Sequence, residues 1–187
     1  MSEAVEAMSE GELLQIEKAR RLDIKESIYY EVIRGKTASL IASACAAGAA
    51  SVRADEETIQ LMRLFGEKIG MAFQIRDDLL DYGDEDIGKP RGIDIKEKKM
   101  TLPLIYALKE ASKSERCRII NLIKRHNENP KKVGEVIDFV WQSGGISYTE
   151  KRMNDYRKEA FELLHQLPLS PARESLEYLV NFVVERK

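Results

Sequence analysis

The chain has 187 residues, enough for one domain that buries about 70% of its unfolded surface. Its 30 basic and 32 acidic residues leave a net charge of −2, which excludes the broad positive field of a nucleic-acid-binding protein. Two cysteines, Cys45 and Cys117, exclude a disulfide framework or a zinc site; both sit in helix-packing contexts and imply a reducing, cytoplasmic setting.

The acidic start, Met1-Ser2-Glu3-Ala4-Val5-Glu6, has no signal-peptide pattern. Residues 2–21 carry Val5, Met8, Leu13, Leu14 and Ile16 among charges and read as a first helix. Asp23, with Glu26 three residues on, predicts the cap of a second helix running to about Ala50 through Ile24, Ile28, Val32 and Ile33. Its second half, Ala38 to Val52, is small and apolar. Ser39, Ser43 and Ser51 interrupt it, and it is too short to span a membrane. The run Ala42, Ala44, Ala46, Ala47, Gly48, Ala49, Ala50 fits tight helix packing, although it could also leave room for a hydrocarbon chain.

Asp55 predicts the cap of a third helix, through Leu61, Leu64, Ile69 and Phe73 to about Tyr82. Gly66 and Gly70 lie inside it, at about 1 kcal/mol each relative to Ala, so close packing is the expected reason for them. Gly83, Gly88, Pro90 and Gly92 break residues 83–100 into one long loop. Helices follow near 101–111, 115–126, 131–142, 146–166 and 171–186, punctuated by Pro130, Gly144-Gly145 and Pro168. Thr101 is placed to cap the first of these. Phe161, Tyr156, Tyr178 and Trp141 read as core or interface residues. The pattern predicts a single all-α domain over 1–187, a helical bundle.

The chemistry-bearing stretch is Phe73-Gln74-Ile75-Arg76-Asp77-Asp78-Leu79-Leu80-Asp81. Asp77 and Asp81 lie one helical turn apart and Asp78 three residues before Asp81, so all three carboxylates can project near one face. Such acids repel one another unless a cation neutralises them, and hard oxygen ligands suit Mg²⁺, which often also holds substrate phosphates. Acids near a helix C-terminus also oppose the macrodipole, a placement that a purely structural sequence would tend to avoid. Gly83-x-x-x-x-Gly88-Lys89 is not a P-loop: Pro90 follows Lys89, the interior is Asp84-Glu85-Asp86, and a helix precedes it where a strand is required. His126 and His165 are isolated, and no nucleophile-His-acid arrangement stands out.

In combination, five segments resemble the trans-isoprenyl (polyprenyl) diphosphate synthase family, and most closely its long-chain, octaprenyl-type subgroup. They are Phe73 to Asp81, Gly88-Lys89-Pro90-x-Gly92-x-Asp94-Ile95, Lys99-x-Thr101-Leu102-Pro103-Leu104, and upstream Gly35-Lys36-Thr37-Ala38 with Gly11-Glu12-Leu13-Leu14-Gln15. The likeness covers the chain to about Ala107. Lys98 departs from it, standing where the family usually has glycine.

The resemblance implies an isoprenoid-synthase-type bundle and Mg²⁺-dependent head-to-tail condensation of isopentenyl diphosphate with an allylic diphosphate. It implies Asp77 as a direct Mg²⁺ ligand, with Asp78 and Asp81 completing the site directly or through water. Lys36, Thr37, Gln74, Lys89 and Lys99 are the implied diphosphate contacts, and Gln74 could equally face the developing carbocation. A homodimer is implied as well. The family carries a first aspartate-rich motif followed by an Arg-Arg pair, and neither occurs before Gln15. The expectation is therefore a C-terminal portion of a synthase with little activity alone. The alternative is a non-catalytic helical subunit that partners a catalytic synthase. A terpene cyclase is disfavoured, because its usual second metal motif is not apparent. Product length is not legible in these residues.

Overall fold

The computed structural model describes residues 6, 8–13, 22, 24–83 and 91–186. Among them are helices and no strand. We number the helices α1 (residues 8–13), α2 (Glu26–Ile33), α3 (Ser39–Ser51), α4 (Glu56–Leu80), α5 (Ile93–Lys96), α6 (Leu102–Glu110), α7 (Lys113–His126), α8 (Pro130–Gln142), α9 (Gly145–Leu164) and α10 (Pro171–Glu185). A five-residue π-helical segment, Arg34–Ala38, joins α2 to α3, so the predicted second helix runs through with a widened turn in its middle. Asp23 lies outside the described residues. The N-cap position of α2 is Lys25, in extended conformation and with no side-chain capping bond.

Helix α4 organises the bundle. The Asp55 carboxylate accepts the Thr58 N–H at 2.7 Å and caps it, and Glu56 and Glu57 favour its positive end. Phe65, Ile69, Ala72, Ile75 and Leu79 recur at three- and four-residue intervals and form its buried stripe. The helix packs most extensively between α3 and α9, and α10, α6 and the π segment complete its surroundings. Gly66 and Gly70 are where α3 and the π segment approach it. A Cβ on Gly66 would lie 2.8 Å from the Ala42 Cα, and one on Gly70 2.5 Å from the Ala38 Cα. Ala42 and Ala46 are buried against α4, whereas Ala44, Ala47 and Gly48 on the other face of α3 are exposed. Tight packing therefore accounts for the inward residues of the run, Ala42 and Ala46.

The 83–100 segment is not loop throughout. Gly92 adopts φ 72° and starts the single turn α5, and a Cβ there would meet Val133 Cγ1 at 2.4 Å. Lys98 also has positive φ, 58°, at the place where the family's glycine is expected. Thr101 occupies the α6 N-cap position, but its hydroxyl bonds the buried Tyr82 hydroxyl at 2.7 Å and caps nothing. Of the aromatic residues, Tyr156 is buried and Phe161 packs against the core, while Tyr178 is exposed on α10. Cys45 is half-buried, and Cys117 is exposed on α7 and packs no core.

Three glycine exchanges should separate these effects in urea unfolding at pH 7. Gly70→Ala should lose about 1–3 kcal/mol to overpacking. Gly48→Ala, with open space around the new methyl, should gain about 1 kcal/mol. Lys98→Gly should gain about 1 kcal/mol by relieving the left-handed backbone.

Candidate functional site

A cavity of about 290 Å³ opens between the π segment, the C-terminal half of α4 and the α5–α6 connection. Lys36, Gln74, Asp77, Asp78, Asp94 and Lys99 bring polar groups to it, and Ile24, Val32, Ile33 and Met100 supply apolar wall. The widened turn presents Lys36 and Thr37 towards α4, at a type of distortion often found at functional sites. Gly11 of α1 supports this turn from behind, since a Cβ there would lie 2.8 Å from the Lys36 nitrogen. Two segments far apart in the sequence resemblance are thus in backbone contact.

The three aspartates of α4 do not converge. Asp78 points into the core with 6% of its surface exposed. Its Oδ2 accepts the Tyr29 hydroxyl at 2.8 Å and the Leu102 N–H at 3.1 Å, so it caps α6 across space. Asp81 turns the other way, and its two oxygens accept the Ile93 and Asp94 N–H groups at 2.8 and 3.2 Å at the start of α5. Asp77 alone of the three is exposed towards the cavity, with one contact from Arg186 to its Oδ1 at 3.2 Å. The acids that oppose the α4 dipole thus meet the favourable, N–H-bearing starts of two other helices. Asp78 is rotated from Asp77 by about one 100° helical step, and Asp81 stands at the C-cap, where the Ile93 and Asp94 N–H groups take its oxygens.

Burial pushes the Asp78 carboxyl up to about 7, against the lowering effect of its bonds from Tyr29 and the Leu102 N–H. Burial and the Asp94 charge push Asp81 up to about 6. Gln74 links the π segment to this network: its Oε1 accepts the Thr37 hydroxyl at 3.1 Å, and its side chain works to lower the Asp78 carboxyl. Lys99 lies between Asp94 at 3.1 Å and Glu97 at 2.6 Å. Burial works to lower its ammonium pKa, but these two acids hold it above the usual lysine range. Asp94, not singled out as a site residue from sequence, lines the cavity; its place two residues after Gly92 in the quoted motif was the available signal. Lys89 lies outside the described residues.

Among the described residues no group of three or more His, Cys, Asp or Glu side chains is placed to hold a metal ion by itself. One open carboxylate facing lysines still fits Mg²⁺, which typically takes one or two protein carboxylates and completes its shell with water and substrate phosphate. The donor set fits a cation shared with a diphosphate, not a caged one.

The raised Asp78 and Asp81 values carry a pH signature. Each group keeps its proton in the fold at pH values where the unfolded chain has lost it. Their contribution to stability is therefore complete below about pH 4 and is lost as pH rises through about 6 and 7. Asp78→Asn, which cannot ionise, should flatten this decline and leave the variant more stable than the parent at pH 8 in metal-free urea titrations.

Comparison with known proteins places this geometry. A family model described as polyprenyl synthetase matches residues 1–140. The chain is 40% identical over 180 residues to a short chain isoprenyl diphosphate synthase of Methanothermobacter thermautotrophicus, covering 95% of this chain and 55% of that protein. It is 34% identical to the octaprenyl diphosphate synthase of Escherichia coli, covering 100% and 58%. A decaprenyl diphosphate synthase structure from Rhodobacter capsulatus superposes with a TM-score of 0.92 at 35% identity, over 99% of this chain and 57% of that one. A polyprenyl synthase from Caulobacter crescentus, solved with calcium and isoprenyl diphosphate, superposes with a TM-score of 0.91 at 34% identity, over 99% and 57%. This chain spans little more than half the length of the relatives it matches. The family-model match and the fold agree, and the chain belongs to the polyprenyl synthetase family.

Proposed function

We propose that this chain forms the second metal-and-diphosphate half of a polyprenyl diphosphate synthase, a trans-prenyltransferase that joins isopentenyl diphosphate to an allylic diphosphate. The observation that carries the reading is the single cavity in which the open Asp77 faces Lys36 and Lys99 beside an apolar wall. That pairing suits a ligand with a polyanionic head and a hydrocarbon tail. The Caulobacter crescentus relative, solved with a divalent cation and isoprenyl diphosphate, supports it.

In this reading Asp77 holds Mg²⁺, which when bound neutralises charge on the departing diphosphate. Lys36 and Lys99 oppose the same charge from the two sides of the cavity, with Lys89 as a third cation. Thr37 fixes Gln74 through the 3.1 Å bond, so that its amide stays on the diphosphate side of Asp78. Asp78 and Asp81 serve by holding α6 and α5 in place around the cavity, or reach the metal through water. The allylic C–O bond breaks and diphosphate leaves. The double bond of isopentenyl diphosphate then forms the new C–C bond, and a proton is lost. Ile24, Val32, Ile33 and Met100 keep water from the reacting end.

The whole enzyme works as a homodimer in the cytoplasm, feeding isoprenoid or quinone side-chain synthesis. Leu40 on α3 and Leu64 on α4 stand exposed on neighbouring helices, which supports a covered face there. Among the described residues, no helix is long and apolar enough to cross a membrane.

Binding of an allylic diphosphate to the 187-residue chain, followed by calorimetry with and without Mg²⁺, tests the proposal. The expected result is Mg²⁺-dependent binding that weakens at least 10-fold in Asp77→Ala and in Lys36→Ala. Binding indifferent to Mg²⁺ and to Asp77 would overturn it. Metal-independent association with a full-length synthase in place of ligand binding would favour the helical-subunit reading.

A further inference from the structure

The C-terminal end of α10 is built onto the metal-facing turn of α4. Arg76 Nε and Nη2 donate to the Arg186 carbonyl at 3.0 and 2.7 Å, a two-pronged grip on the backbone. The Arg186 guanidinium then returns across the Phe73 ring, 3.9 Å from its centroid. Its Nη2 donates to the Phe73 carbonyl at 3.3 Å and to Asp77 Oδ1 at 3.2 Å. The Arg186 side chain is 21% exposed and that of Asp77 45%, so the guanidinium is the held partner and the carboxylate the open one. Among the described residues, no hydrogen bond reaches Asp77 Oδ2, and Asp77 lines the cavity.

We infer that Arg186 is a positioning residue for Asp77: it fixes one carboxylate oxygen and leaves the other as the open donor of the diphosphate cavity. The inference rests on the proposed function of that cavity. Nothing in the motif around Asp77 points to it, because 109 residues separate the partners. The stacked geometry matters, since a guanidinium held over a ring cannot swing away as a lysine can. A ligating carboxylate that is itself hydrogen-bonded loses less freedom on binding. Arg186 also adds positive charge beside Asp77. That charge disfavours a bare cation but favours a cation arriving with diphosphate.

This gives a sign that a purely structural role would not. Mg²⁺ alone, and Mg²⁺ with inorganic diphosphate, would be titrated calorimetrically into the 187-residue protein and into R186Q, R186K and V184A. Val184 is buried on α10 and makes no hydrogen bond to Asp77, so V184A reports loosening of the helix end. R186Q should bind Mg²⁺-diphosphate about 10–100-fold more weakly, yet bind Mg²⁺ alone no more weakly than the parent. R186K, which keeps the charge but loses the stack on Phe73, should recover part of the loss. V184A should lower the unfolding midpoint without moving either affinity. Equal diphosphate affinity in R186Q, parallel losses for Mg²⁺ alone, or an equal loss in V184A would each overturn the inference. Absence of Mg²⁺-dependent binding by the parent chain would instead overturn the reading of the cavity, and the inference with it.

Discussion

The buried carboxylate of Asp78 is the contact on which the site depends. Its Oδ2 ties three elements together: α4, which carries it, α2 through the Tyr29 hydroxyl, and α6 through the Leu102 N–H. An ionised carboxylate in such a place is costly, and two donors on one oxygen offset only part of that cost. The protein keeps the group because few other side chains join a helix C-terminus to a helix N-terminus across a core. Burial therefore wins over hydrogen bonding, and the carboxyl is held near neutrality at about pH 7. The same burial hardens the wall behind Gln74 and the π segment, against which the open residues are set.

From that junction follows a division of labour among three identical residues. Asp78 faces inward and Asp81 faces the start of α5, so Asp77 is left as the open acid. The positive groups follow the same geometry. Lys99 enters with the α5–α6 connection that Asp81 anchors, already paired with Asp94 and Glu97. Lys36 arrives from the opposite wall on a turn that Gly11 backs. A polyanion entering between them would compete with Asp94 and Glu97 for Lys99.

Close helix approach is the second constraint. Gly66 and Gly70 let α3 and the π segment sit against α4 backbone to backbone, and that spacing sets how far Thr37 stands from Gln74. Side chains at either glycine would push the lysine-bearing turn away from the aspartates. The outward face of α3, with Ala44, Ala47 and Gly48, is as small as the inward one but makes no such contact among the described residues.

Much of this was legible in the order of residues. Helical periodicity, the Asp55 cap and the glycine and proline breaks determined an all-α bundle, because those signals act within one or two turns. The aspartate spacing, with Lys36-Thr37 and the Gly92-x-Asp94 and Lys99-x-Thr101 segments, marked the cavity's residues through their family pattern. The tertiary structure alone decided which aspartate stays open, because the choice depends on where the N–H groups of Leu102, Ile93 and Asp94 arrive. It also decided that Thr101 bonds Tyr82 instead of capping, and that Arg186 meets Asp77. Each of these is a contact between a short polar group and a partner 12 to 109 residues away. Local pattern carries no information about such partners, since their meeting is fixed by how the helices pack.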